Sequence, residues 1–386
     1  SAPAVITLAD NLPVAHDDGS YHRIGGCPHG SVACQLYAAA HVLFVFVHNV
    51  VLFDLRRLRR QTDGLTGPVL ERNDVFGTTC RLNPRQWNKT TPPCDAFRAK
   101  LSTFADSMKQ AISYLKQQLS GIYPPGEIQA VAYLMLEKLF RVTRLDVCMG
   151  KDRTLSADER LAWVKITERL QKEEPIQYIL GEADFCGRTF RVTPATLIPR
   201  PETAELVHWI GADAEKRQVR SILDVGTGSG CILLTLAAIL PGVKAEGWDI
   251  SEEALCVARE NSRKLGVEAT FRQQDILAPS LPDRQVDVLV SNPPYVTESE
   301  KAEMERNVLL WEPSTALFVP DDDPLRFYRA VAGYARRALN PGGALYFEIN
   351  RAYGPETVRL LQEAGFPSVE LRKDLSGNDR MVKASL

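Results

Sequence analysis

Asn292-Pro293-Pro294-Tyr295 is the segment of this chain whose residue types point most directly to a reaction. It follows the apolar run 286–291, which reads as a strand, so the four residues fall at a strand's carboxyl edge. The Asn292 side-chain oxygen and the Pro293 carbonyl can accept the two N–H hydrogens of a planar amide or amino group. Such a nitrogen is a weak nucleophile because its lone pair is delocalised, and no side-chain base removes its proton at neutral pH. Two acceptors instead hold it in line with an electrophile and offset the positive charge that develops. Prolines fix the backbone that aims the carbonyl, and Tyr295 offers a flat face to a planar acceptor. Asn292, Pro293, Pro294 and Tyr295 are therefore expected to be catalytic and to bind the acceptor. A Pro-rich strand exit with no chemistry is the plain alternative.

A second constellation lies upstream, in Asp224-Val225-Gly226-Thr227-Gly228-Ser229-Gly230. The glycines let the backbone approach a ligand closely, but Cys231 stands where a dinucleotide fingerprint would want a further glycine. The turn suits the amino-acid end of S-adenosylmethionine, which has no phosphate to hold. Asp249, about 20 residues on at the end of the next strand, can accept both ribose hydroxyls. Asp275 is placed to reach the adenine amino group, with Ile276 against the ring. The expected cofactor set is Gly226, Thr227, Gly228, Ser229, Gly230, Asp249, Asp275, Ile276 and Asn292, with no metal. Asp224 is expected to support the turn or meet the cofactor's ammonium group. Cys231 and Cys256 read as small buried residues. A lone glycine turn is often only a tight connection; three features in register at successive strand ends argue for a site.

These residues need a scaffold that brings strand ends together. From residue 221 the chain alternates strand and helix: strands at 221–225, 244–249, 269–272, 286–291 and 344–349, helices at 230–240 and 252–265, and a closing strand pair at 368–372 and 380–383. This predicts an α/β fold, a mostly parallel twisted sheet with helices on both faces and ligands at the strands' carboxyl ends. From Met108, apolar residues recur at helical spacing (Ile112, Leu115, Leu119; Ile128, Ala132, Leu136; Leu161, Val164), broken at Pro124-Pro125-Gly126 and residues 150–156. A small all-α helical bundle over residues 108–175 is expected. Pro175 ends it, and strand-like pieces at Tyr178-Ile179-Leu180 and Thr189-Phe190-Arg191-Val192 predict a β-hairpin linker over 176–198. The methyl-transfer domain then occupies 199–386.

Residues 1–107 show irregular punctuation and little periodicity, and are left as an unassigned N-terminal extension. Within it, residues 31–53 are apolar enough to cross a bilayer and precede Arg56, Arg57, Arg59 and Arg60, but contain Gln35, His41, His48 and Asn49, each costly in hydrocarbon. A formal net charge of −2 gives no basic field for nucleic acid. Eight cysteines without a Cys-x-x-Cys pair argue for a reducing compartment and against structural zinc. A cytoplasmic enzyme is expected, with no direct nucleic-acid partner and with membrane contact only through 31–53.

The motifs together resemble one family, the release-factor glutamine methyltransferases (HemK/PrmC), over about residues 108–386. The likeness rests on Gln177-Tyr178-Ile179-Leu180-Gly181, Phe185-Cys186-Gly187, Leu197-Ile198-Pro199-Arg200-Pro201-Glu202-Thr203, the glycine turn, Asn292 to Tyr295, and Asp374-Leu375-Ser376-Gly377-Asn378-Asp379-Arg380-Met381. It implies a class I S-adenosylmethionine-dependent methyltransferase that methylates the glutamine of the Gly-Gly-Gln loop in class I peptide-chain release factors. By the same likeness the helical bundle recognises substrate, and Arg200, Glu202 and Thr203 line the cleft, with Arg200 and Glu202 binding substrate. Read from the residues alone, Arg200 and Glu202 could equally be a structural ion pair. Asn350 stands where the family often has glycine. DNA adenine methylation uses similar Asn-Pro-Pro-Tyr chemistry, but the additional domain here carries Glu127, Glu137, Asp146, Asp158 and Glu159 rather than a basic surface. An inactive membrane-tethered relative is the remaining alternative.

Overall fold

In a computed structural model of the chain, the described residues are 107–279, 281–282 and 285–386. The expectations for residues 1–106, including the apolar stretch 31–53, lie outside them. Among the described residues no helix is long and apolar enough to cross a membrane.

The helical spacing after Met108 closes into four helices, α1 Met108–Leu119, α2 Pro125–Phe140, α3 Arg144–Cys148 and α4 Ala157–Leu170. The start of α1 is fixed by the Ser107/Gln110 capping box, and those of α3 and α4 by Thr143/Asp146 and Ser156/Glu159. Pro125, expected as a breaker, instead occupies the first turn of α2, where its missing N–H costs nothing. The apolar faces meet around Leu115, Leu136 and Trp163, each buried, with Trp163 stacked on Phe140 at 5.8 Å.

Residues 178–180 depart from expectation. They belong to a short helix, α5 Ile176–Leu180, not to a strand. Pro175 is its N-cap and Gly181, at φ 74°, its left-handed C-cap, so the flanking residues decide what a short apolar run cannot. The hairpin follows as β1 Glu182–Phe185 and β2 Arg188–Arg191, antiparallel. Its two turn residues, Cys186 and Gly187, both have positive φ, the conformation that matches strand twist in a two-residue loop.

Next comes a helix that the alternation after residue 221 does not announce, α6 Pro201–Glu215, again with proline in its first turn. Beyond it lie β3 Ser221–Val225, α7 Cys231–Ile239, β4 Lys244–Asp249, α8 Glu252–Leu265, β5 Thr270–Gln273 and β6 Val286–Ser291. Two short strands, β7 Val296–Thr297 and β8 Phe318–Val319, flank α9 Arg306–Trp311; α10 Arg326–Ala338, β9 Leu339–Glu348, α11 Gly354–Glu363, β10 Ser368–Lys373 and β11 Asp379–Ser385 complete the chain.

Seven strands form one sheet in the order β10-β11-β9-β6-β3-β4-β5. The five from β9 to β5 run parallel, and β11 and β10 add an antiparallel edge. Successive residues of β3 point to opposite faces: Ile222 joins the core with Leu206 of α6 and Leu233 of α7, Leu223 the core with Tyr328 and Val331 of α10. The chain leaves β3 toward β4 on one side and returns to β6 on the other. The carboxyl ends of β3, β4 and β6 therefore open on a topological switch point, where open α/β sheets bind ligands.

Candidate active site

The turn after β3 takes its shape from three left-handed glycines, Gly226 (φ 76°), Gly228 (φ 55°) and Gly230 (φ 79°). Gly226 and Thr227 both donate their N–H to the Trp248 carbonyl of β4 at 2.8 Å. This close approach needs a glycine in the neighbouring strand as well, because a Cβ at Gly247 would lie 2.9 Å from Thr227 Oγ1. Asp224 is fully buried beneath the turn, and its Oδ2 accepts from Thr227 Oγ1 at 2.8 Å. Burial pushes its carboxyl up to about 7, while the Thr227 hydroxyl pulls it down.

At the end of β4, Asp249 Oδ2 accepts the Gly228 N–H at 2.9 Å and Oδ1 the Ser251 N–H at 3.0 Å. Burial raises its pKa against the pull of these amides. One carboxylate thus ties the glycine turn to the next helix. After β5, Asp275 Oδ1 accepts the Leu277 N–H at 2.8 Å, and Ile276 is buried beside it.

These groups share the wall of one cavity of about 380 Å³. Gly226, Thr227, Gly228, Ser229, Asp249, Asp275 and Ile276 line it, and so do Asn292, Pro293, Pro294 and Arg200. Gly230 does not; it starts α7 behind the wall, where a Cβ would press on Leu234 Cδ1 at 3.1 Å. Leu197, Pro199, Thr203, Phe318, Phe327 and Val331 are among the other residues of the wall. Of these, Phe318, Phe327 and Val331 carried no local motif to announce them. Cys231 also lines the cavity, but burial raises its thiol to about 12 and leaves it neutral. Cys256, expected inside, is exposed.

Two expected substrate residues are not at the wall. Tyr295 turns into the core packed around Tyr328 and Phe347, and its hydroxyl donates to Glu348 Oε1 at 3.1 Å. Burial, then the Glu348 charge, raises its pKa far above the ordinary tyrosine value. Its ring is half-buried against that core and is not part of the cavity wall. Glu202, in the first turn of α6, is likewise absent from the wall. Nor does it pair with Arg200, whose Nη2 lies 2.6 Å from Glu312 Oε1. Two acids had no sequence signal as site residues: Glu312, and Glu348 at the carboxyl end of β9. The one available hint was position, since Glu348 ends an apolar run as Asp249 ends β4.

The resemblance motifs are mostly braces around this cavity. Tyr178 Oη donates to the Thr196 carbonyl at 2.6 Å, beneath the 197–203 loop. Arg380 pairs with Asp374 at 3.1 Å and donates to the Ile349 carbonyl at 3.3 Å, holding the exit of β9. Asn350 Nδ2 reaches Glu300 Oε2 at 2.9 Å and the Tyr295 carbonyl at 3.0 Å, so the asparagine pins the segment after Asn292-Pro293-Pro294-Tyr295.

The cavity fits S-adenosylmethionine by the chemistry of its wall. Carboxylates end β4 and follow β5, a positive-φ glycine, Gly228, has open space where a Cβ would stand, and the one Arg or Lys on the wall among the described residues, Arg200, is already paired. Such a wall suits a ligand with hydroxyl and amino groups and no phosphate. Among the described residues no three His, Cys, Asp or Glu side chains group as a metal site requires.

Fold and site define a class I S-adenosylmethionine-dependent methyltransferase. Residues 206–316 match the family model of the methyltransferase small domain, and residues 110–181 that of the PrmC N-terminal domain. The chain is 52% identical over 279 residues to a release factor glutamine methyltransferase of Bacteroides thetaiotaomicron, covering 72% of this chain and 100% of the relative. It is 43% identical to the one of Flavobacterium psychrophilum, covering 70% of this chain and 95% of the relative. To the one of Cereibacter sphaeroides it is 44% identical, over 55% of this chain and 75% of the relative. The chain belongs to the release factor glutamine methyltransferase family.

Proposed function

We propose that this enzyme transfers a methyl group from S-adenosylmethionine to the side-chain amide nitrogen of the glutamine in the Gly-Gly-Gln motif of class I peptide-chain release factors. The observation that carries the reading is that Asn292, Pro293 and Pro294 share one cavity wall with the glycine turn and Asp249. When bound, S-adenosylmethionine supplies a methyl carbon already activated by a sulfonium, so the chemistry as written uses no metal. Asp249 accepts the ribose hydroxyls, Asp275 the adenine amino group, and Ile276 packs on the ring. The backbone of residues 226–229 admits the amino-acid end.

At the acceptor end, Asn292 Oδ1 and the Pro293 carbonyl take the two N–H hydrogens of the glutamine amide. They orient the nitrogen for direct in-line attack and stabilise the positive charge it gains as the N–C bond forms. Formation of the N–C bond is matched by loss of the methyl–sulfur bond, which leaves a neutral thioether, and the methylated nitrogen releases one proton to water, with no covalent enzyme intermediate. Pro294 stiffens this exit from β6. Arg200 acts by holding the 197–203 loop, and Tyr295 by supporting Glu348, rather than by touching the glutamine. The helical bundle is read as the surface that recognises the release factor, and the cytoplasm as the compartment where enzyme and substrate meet.

The test is incubation of the full chain with labelled methyl donor and a class I release factor, with a DNA arm in parallel, followed by mapping of the label. Label on the Gly-Gly-Gln glutamine supports the reading. Label on DNA adenine and none on that glutamine overturns it.

A further inference from the structure

Behind Asn292 stands a chain of buried polar groups that the chemistry above does not use. Glu348, at the carboxyl end of β9, is 1% exposed. Its Oε2 accepts from Thr203 Oγ1 at 2.6 Å and its Oε1 from the Tyr295 hydroxyl at 3.1 Å. Thr203, in the first turn of α6, is 3% exposed, and the same Oγ1 meets Asn292 Nδ2 at 3.3 Å. Burial pushes the Glu348 carboxyl up, and the Thr203 and Tyr295 hydroxyls, with Arg380 nearby, pull it back. Each carboxylate oxygen meets a hydroxyl donor, the pattern that an ionised carboxylate satisfies without a proton of its own.

For the ionised carboxylate, counting protons fixes the direction of each bond in the chain. An ionised carboxylate only accepts, and a threonine hydroxyl has one proton to give. That proton is committed to Glu348 in the short contact. Thr203 therefore offers Asn292 only lone pairs, and the Asn292 atom facing it must be the NH2 group. An asparagine amide otherwise has two orientations of nearly equal shape. Here one is selected, and the side-chain oxygen is left facing away from Thr203. Among the described residues no donor is bonded to that oxygen.

We propose that Thr203 and Glu348 are positioning residues that fix the amide polarity of Asn292, so that its Oδ1 is presented to the acceptor nitrogen. Flipped, Asn292 would direct N–H groups at the substrate's N–H groups and repel the nitrogen it should hold. The inference rests on reading Asn292 as the acceptor of the glutamine N–H. It adds a reason for the threonine and the strand-end glutamate that binding alone does not require.

Thr203→Val keeps the shape of the side chain but removes both the proton and the lone pairs, whereas Thr203→Ser keeps them. The expected result with a release factor as substrate is a fall in kcat of about 100-fold for Thr203→Val. Its KM for the release factor and its Kd for S-adenosylmethionine should stay within about threefold of wild type, and Thr203→Ser should restore kcat to within several-fold. Thr203→Val with wild-type kcat, or Thr203→Ser as slow as Thr203→Val, overturns the proposal. Should Thr203→Val fail to fold, Glu348→Leu is the second variant, because it keeps much of the bulk and removes the acceptor to which the Thr203 proton is committed. A comparable loss of kcat supports the proposal and unchanged kcat overturns it. Wild-type enzyme that leaves the glutamine unmethylated sinks the functional reading itself; methylating wild type with an unimpaired Thr203→Val sinks only the positioning role.

Discussion

Arg200 and Glu312, 112 residues apart, form an ion pair at 2.6 Å, and the other oxygen of the same carboxylate accepts the Ile198 N–H at 3.1 Å. The Glu312 side chain is 1% exposed and that of Arg200 32%. The pair clamps the loop before α6 to the segment after α9, at the wall of the cavity. Its two partners are not equivalent. Arg200→Ala strands a buried carboxylate and should cost about 3 kcal/mol of stability. Glu312→Gln keeps an acceptor for Ile198 and leaves Arg200 partly solvated, for a loss of about 1 kcal/mol. Denaturant melts of the two variants check the order, and a costlier Glu312→Gln would refute it.

Asn292 tests the division of labour between donor and acceptor sites. Asn292→Ala removes one of two acceptors for the amide N–H, and kcat should fall about 100- to 1000-fold. Calorimetric titration with S-adenosylmethionine should give nearly wild-type affinity. Loss of donor binding would assign Asn292 mainly to the cofactor.

Asp224 should leave a signature in the pH dependence of stability. Its folded-state pKa is raised from the ordinary 3.8 to about 7 by burial, so the native state binds its proton more tightly than the unfolded chain does. That contribution is fully present below about pH 4 and is lost as pH rises through about 7. Asp224→Asn is neutral throughout. Its Tm relative to wild type should therefore rise between pH 4 and pH 7.5, and a flat difference would rule out the burial argument.

Two glycines should separate backbone strain from crowding. Gly228→Ala forces a left-handed conformation, costing about 1–2 kcal/mol, but its Cβ meets nothing within 4 Å. A modest fall in Tm with a weakened S-adenosylmethionine Kd is expected. Gly247 has ordinary backbone, yet a Cβ there meets Thr227 Oγ1 at 2.9 Å and Phe271 Cδ1 at 3.0 Å. Gly247→Ala should displace the turn and weaken donor binding by a different route, visible as a larger loss of stability.

The legible parts of this chain were those written in short segments. Strands β4 and β6 and helix α8 coincide with their expected bounds, because alternating apolar runs, Ser251 and Gly266 mark them locally. The strand-end features Gly226, Asp249, Asp275 and Asn292 converge as expected once the sheet is parallel. At residues 178–180 three apolar residues fit either element, and Pro175 and Gly181 choose the helix.

By itself, then, the sequence determined the α/β class and which residues stand at its strand ends, the glycine turn and Asn292 to Tyr295, since each depends on φ preferences and side-chain chemistry within a few residues. Tertiary structure alone decided that Arg200 answers Glu312 rather than Glu202, that Tyr295 points inward, and that Glu348 stands behind Thr203 and Asn292. Those choices join groups 53 to 145 residues apart, where spacing along the chain carries no information and only packing the sheet against its helices sets who meets whom.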